Sequence, residues 1–135
     1  MKIYCDGGSR GNPGPAASAF VVVNESGDVI YKESKYIGTA TNNVAEYTAL
    51  LMALSWAKDN AHEGLAVVLD SELVTRQMNG EYKIKSPSIK PLALRAKEIE
   101  RSLGVGVLYE HTKRDGNKTA DALVNSALDR QRDVE

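Results

Sequence analysis

Residues 4–15, YCDGGSRGNPGP, leave the chain little freedom in how it begins. Tyr4 and Cys5 suit a sheet, and residues 2–6 read as a first strand ending on Asp6. Small residues and breakers follow at once. Gly7, Gly8, Gly11 and Gly14 permit positive φ and close approach of another backbone, and Pro13 and Pro15 stiffen the exit. A carboxylate at the end of an apolar strand, before a bare loop, suits a metal ion and a bulky polyanion. On this stretch alone, Asp6 serves equally well as the cap of a glycine-rich hairpin.

The rest of the chain decides between these roles. Residues 16–24 are rich in Val and read as a second strand; Glu25-Ser26-Gly27-Asp28 turns, and residues 29–36 return as a third. Three strands with short connections make an antiparallel meander. Residues 38–41 read as a loop, and Asn42 or Asn43 can cap a helix running to about residue 60. Its apolar residues, Ala45, Ala49, Leu50, Ala53, Leu54 and Ala57, recur at helical spacing and are mostly small, so it can lie close on a sheet.

Residues 65–69 form an unbroken apolar run, as an interior parallel strand does. Short helices are expected over 71–78 and 89–103, with Pro91 in the first turn of the second. Residues 107–111 read as a fifth strand, 112–116 as a polar loop and 118–130 as a last helix. The charged tail, about 129–135, is expected to fray. The expectation is one α/β domain over residues 1–135, with a five-stranded mixed sheet and helices on both faces.

Composition narrows the setting. No apolar run is long enough to span a bilayer. No basic-then-apolar leader is read, and Cys5 is the only cysteine, so a soluble chain in a reducing cytoplasm is expected. Cys5 sits mid-strand and makes a poor nucleophile. The net charge of −1 announces no nucleic-acid binder, but distribution matters more than the sum. Basic residues gather at Arg76, Lys83, Lys85, Lys90, Arg95, Lys97 and Arg101, and again at Lys113, Arg114 and Lys118.

Four acids then fall into place. Asp6 and Asp70 end strands that, if adjacent and parallel, emerge at one sheet edge, where α/β sheets bind ligands. Glu46 is expected in the first turn of the long helix, and Asp121 early in the last one. Gathering carboxylates against alanine-rich walls is unfavourable unless cations neutralise them. No His/Cys constellation accompanies them, so hard cations are the natural choice, Mg²⁺ above all. Two such ions about 3.5–4 Å apart suit phosphodiester hydrolysis.

The motifs DGGSRGNPGP, TNNVAEYTALLMAL, DSELVTRQMNG and NKTADALVN occur in the order and spacing of one known group. The chain resembles ribonuclease H of the type 1 family, and the motifs together span Asp6 to Asn125. The resemblance implies sheet order 3-2-1-4-5. It also implies that Asp6, Glu46, Asp70 and Asp121 are catalytic, metal-binding carboxylates for two Mg²⁺ ions, with Mn²⁺ as a substitute. The implied reaction cuts the RNA strand of an RNA–DNA hybrid, leaving a 5′-phosphate and a 3′-hydroxyl. His111, ten residues before Asp121, is implied in proton transfer or product release. Asn12, Asn42 and Asn43 match minor-groove contacts, Thr41 a DNA-phosphate contact, and Ser71 a further substrate-binding position. The wide minor groove of such hybrids, with its 2′-hydroxyls, suits asparagine donors and acceptors. A monomer acting on the hybrid, with no membrane partner, is the expected state.

The sequence departs from that pattern in places. Ala17 and Ser18 stand where glycines are common, and Glu72 stands where many members carry glutamine. Residues 79–92 are too few for the basic protrusion of some members, leaving Lys83, Lys85 and Lys90 to do part of its work. The competing readings are a non-catalytic hybrid-binding module and another nuclease of the same superfamily. The four intact carboxylates weigh against the first, and the closeness of the four motifs against the second.

Overall fold

The computed structural model describes residues 1–61 and 63–134; His62, expected at the surface near a helix end, lies outside the described residues. Its strands are β1 (Lys2–Ser9), β2 (Gly14–Val23), β3 (Val29–Ala40), β4 (Leu65–Leu69) and β5 (Val107–His111). Its helices are α1 (Asn42–Asn60), α2 (Glu72–Met78), α3 (Lys90–Ser102) and α4 (Lys118–Val134). A single 3₁₀ turn, Arg114–Asn117, leads into α4. The sheet order is β3-β2-β1-β4-β5, with β1, β2 and β3 antiparallel and β4 parallel to both β1 and β5. This is the mixed sheet that the pattern of elements implied.

Alternation along the strands feeds two cores. Ile3, Cys5, Phe20, Val22, Val67 and Leu69 pack against α1 and α3 on one face. Ala17 and Ala19 pack against Val124, Ala127 and Leu128 of α4 on the other. Helices therefore cover both faces, as a sheet with parallel crossovers requires. Ala45, Ala49, Ala53 and Ala57 are fully buried, and this small-residue stripe lets α1 lie close to the sheet.

Several boundaries differ from expectation. Asp6 does not end its strand: β1 continues through Gly7, Gly8 and Ser9, which pair with Ser18, Ala17 and Ala16. Gly7 is a place for a helix rather than part of a loop, while Gly11, at φ 94°, lies in the connection to β2. A β-carbon on Gly7 would fall 2.2 Å from the Ala45 carbonyl carbon and oxygen, so only glycine admits the start of α1 here. Ser18, the cross-strand partner of Gly7, donates its hydroxyl to that same Ala45 carbonyl at 2.7 Å. β3 runs on to Ala40 through Gly38, which adopts φ 83°. The cap of α1 is Thr41, whose Oγ1 accepts from Val44 N at 3.2 Å; Asn42 and Asn43 are already helical. Glu46 thus lies one or two residues further in than expected, just past the first turn. α4 continues past Arg130 to Val134, so the charged tail is helical as far as it is described.

Candidate active site

β1 and β4 run side by side in the same direction, with Cys5 opposite Leu69. Their next residues, Asp6 and Asp70, therefore arrive together. Glu46 reaches the same point from α1, over the bare backbone of Gly7. Asp6, Glu46 and Asp70 each bring a carboxylate oxygen within 4.8 Å of the others. Asp121, near the start of α4, lines the same cleft and adds its charge to that of Asp6. All four sequence-predicted acids are thus brought to one cleft, three of them tightly.

The electrostatics are those of a site built for cations. Burial first, then the charges of Asp70 and Asp121, push the Asp6 carboxyl up to about 8, and the Gly7 amide offsets this only in part. Glu46 is raised well above its usual range by burial and then by Asp6 and Asp70. Glu46 is only 7% exposed, and its Oε2 has no hydrogen-bond partner among the described residues. An all-oxygen donor set, partly buried and self-repelling, with an orphaned carboxylate oxygen, fits a hard divalent ion.

The polar wall of the cleft is built by side chains that first secure the fold. Asn42 Oδ1 accepts from Ser9 N at 2.9 Å and Ser9 Oγ at 3.1 Å, tying α1 to the end of β1. Asn12 Oδ1 accepts from Asn42 N at 3.0 Å, which binds the hairpin turn to the same helix start. Ser71 caps α2, its Oγ accepting from Val74 N at 3.2 Å. Asn42, Asn43 and Ser71 line the cleft; Asn12 and Thr41 do not.

His111 is exposed at the end of β5, beside Leu69 rather than among the carboxylates, and it does not line the cleft. The backbone stays tied to β4 just beyond it, with Thr112 N donating to Leu69 O at 2.8 Å. The 3₁₀ turn then carries Arg114 into the cleft instead. In the sequence Arg114 belongs to the basic group with Lys113 and Lys118 and is, with Lys113, the alternative to His111 for a loop function; a cation three residues from a histidine gives no sign of which one faces inward.

Asn117 was also missed as a separate feature. It is 2% exposed, and its Nδ2 donates to Cys5 O at 2.7 Å and to Asp70 Oδ2 at 3.4 Å. It therefore fixes the entry to α4, and with it Asp121, against both carboxylate-bearing strands. Its only signal in the sequence is its place at the head of NKTAD. Glu72 turns away to Arg76, with Oε1 at 2.9 Å from Nε, so the second negative charge beside Asp70 is neutralised locally.

Comparison with known proteins agrees with this geometry. The model of a family described as "Reverse transcriptase-like" matches residues 4–127. Ribonuclease HI of Halobacterium salinarum is 40% identical over 96% of this chain, which spans 64% of that protein. The bifunctional protein Rv2228c of Mycobacterium tuberculosis is 42% identical over 96% of this chain, which spans 35% of it. The chain thus covers less than two thirds of the length of either curated relative. Among solved structures, LC11-RNase H1 in complex with an RNA/DNA hybrid superposes with a TM-score of 0.91 at 40% identity, covering 96% of this chain and 97% of the other. With the strand order, the four acids in one cleft and a match over nearly its whole length, the chain belongs to the reverse transcriptase-like family as an RNase H-like domain.

Proposed function

We propose that the chain is a metal-dependent endoribonuclease that hydrolyses the RNA strand of RNA–DNA hybrids. The observation that carries this reading is the convergence of Asp6, Glu46 and Asp70 within 4.8 Å, with Asp121 in the same cleft. A hybrid-binding module without catalysis has no need to hold buried, mutually repelling carboxylates. The solved RNase H1 with a bound hybrid supports the choice of substrate.

Asp6, Glu46, Asp70 and Asp121 would hold two divalent ions, Mg²⁺ or Mn²⁺. When bound, such ions supply an activated water and stabilise the leaving oxygen, consistent with a 5′-phosphate and 3′-hydroxyl product. The protein's own part is preorganisation. Asn117 holds Asp70 and the backbone of Cys5, and so the approach of β1, β4 and α4. Gly8, where a β-carbon would meet nothing nearer than Asn42 Oδ1 and Val124 Cγ1 at 3.9 Å, leaves the floor near Asp6 low, so a phosphodiester can come close to the carboxylates. Asn42 and Asn43 face the cleft at the start of α1, whose positive dipole end also favours a phosphate. Arg114 offers a guanidinium to the same space and suits a phosphate oxygen by its fork geometry. Asn12 supports the groove-reading wall through Asn42.

No helix among the described residues is long and apolar enough to cross a membrane. The single, buried Cys5 agrees with a reducing compartment such as the cytoplasm, and a monomer suffices because every proposed ligand comes from one chain. The test is cleavage of labelled RNA–DNA hybrid, duplex DNA and duplex RNA, each with Mg²⁺, Mn²⁺ or EDTA. The reading requires cutting of the RNA strand in the hybrid with either metal, and none in EDTA. Binding without any cleavage would favour the module instead.

A further inference from the structure

The cleft extends beyond the carboxylates. From Asp6 its floor follows β1 through Gly7, Gly8 and Ser9 to Arg10, between the start of α1 and the Val124 and Leu128 side of α4. Four residues of strand cover about 13 Å. No side chain larger than serine rises from that floor. The cationic side chains lining the cleft are Arg114, near the acids, and Arg10, at the far end.

Arg10 is held unusually well for an exposed arginine. Its backbone N donates to Pro15 O at 2.8 Å, closing the hairpin turn, and a β-carbon on Gly14 would fall 2.1 Å from Arg10 O. Its Nη2 lies 2.7 Å from Asp129 Oδ1 and donates to Asn125 O at 3.5 Å, both on α4. The side chains of Arg10 and Asp129 are 39% and 48% exposed. An ion pair this exposed adds little to stability, so stability is a poor reason for building it. These contacts use Nη2, so the N–H groups on Nε and Nη1 stay available to a ligand in the cleft that Arg10 lines.

A polyanion laid along this floor meets four carboxylates at one end and needs a cation further along. We propose that Arg10 binds a backbone phosphate of the nucleic acid more than one nucleotide away from the site of cleavage, and that Asp129 is the positioning residue that holds its guanidinium there. This rests on the hybrid-cleaving reading above. Asp129 confers orientation, because a fixed planar fork loses less freedom when it meets a phosphate.

The test is hybrid binding without turnover. In an Asp70→Asn background with Mg²⁺, the Kd of a short fluorescent RNA–DNA hybrid is measured by anisotropy between about 50 and 200 mM salt. Arg10→Ala should weaken binding roughly tenfold at low salt and lower the slope of log Kd against log salt by about one. Arg10→Lys should keep the slope and lose part of the affinity. Asp129→Asn should keep the slope and weaken binding only a few-fold, because the charge remains while its orientation is lost. If Arg10→Ala leaves the slope unchanged, or matches Asp129→Asn in both slope and affinity, Arg10 is only a tether and the proposal fails. If the Asp70→Asn parent does not bind the hybrid at all, the hybrid-cleaving reading fails and takes this proposal with it.

Discussion

The carbonyl oxygen of Ala45 occupies the space where a β-carbon on Gly7 would stand, 2.2 Å away. Everything in the cleft depends on that approach, since it is the reason Glu46 reaches Asp6 and Asp70. Ser18 secures the same carbonyl from the neighbouring strand.

Gly7→Ala should therefore be among the most damaging small substitutions. The obstacle is backbone rather than a flexible side chain, so α1 must shift. Overpacking of this kind typically destabilises by ~1–3 kcal/mol. The expected result is a clear drop in melting temperature together with loss of cleavage. Ser18→Ala should cost less, on the order of 1 kcal/mol, and leave measurable cleavage. Thermal unfolding of both variants beside wild type checks the order.

Repulsion in the cleft predicts an unusual pH dependence without metal. Asp6 has a folded pKa of about 8, well above the value of an unfolded aspartate. Its contribution to stability is therefore fully present below the unfolded pKa and is lost as pH rises through about 8. Glu46 acts with the same sign. In EDTA the melting temperature should fall from about pH 5 to about pH 9. In Asp6→Asn the fall should be shallower. An equal fall in both proteins would mean that Asp6 is not the group responsible.

Asp70→Asn removes a charge from the same cluster while keeping a group that Asn117 can face. Turnover should disappear. The apo variant should be as stable as wild type or more so, because one repulsive partner is gone. Mg²⁺ should raise the melting temperature of wild type by mass action, and that of the variant less. A variant that melts well below wild type in EDTA would contradict the repulsion argument.

The positions of His111 and Arg114 make opposite forecasts for two alanine variants. Arg114 lines the cleft and His111 does not. Arg114→Ala should lower kcat or raise KM by roughly tenfold or more, as expected for a lost charge-assisted contact. His111→Ala should change kcat by no more than a few-fold. General acid–base help is typically worth ~10²–10⁴-fold. A loss of that size in His111→Ala across neutral pH would bring the histidine back into the reaction through motion of the 112–116 segment.

The order of strands and helices was legible in the sequence because the period of apolar residues is local. The unbroken run Leu65–Leu69 and the alanine spacing of α1 need no knowledge of what they touch. The four acids were legible because each sits at a recognisable place in a motif or at an element's end. Tertiary structure alone decided the rest. Asp6 lies inside a strand, since Gly7 and Gly8 pair with β2 rather than forming a loop, and Gly7 makes room for α1. Thr41 took the cap that Asn42 or Asn43 was expected to fill, and Asn42 instead joined Ser9 and Asn12 from distant parts of the chain. Arg114 rather than His111 entered the cleft because a 3₁₀ turn rotates the chain after β5. Motif and period report what a residue is and which element carries it. Which atoms meet is set by the approach of β1, β4, α1 and α4, and that approach depends on contacts between residues as far apart as Cys5 and Asn117.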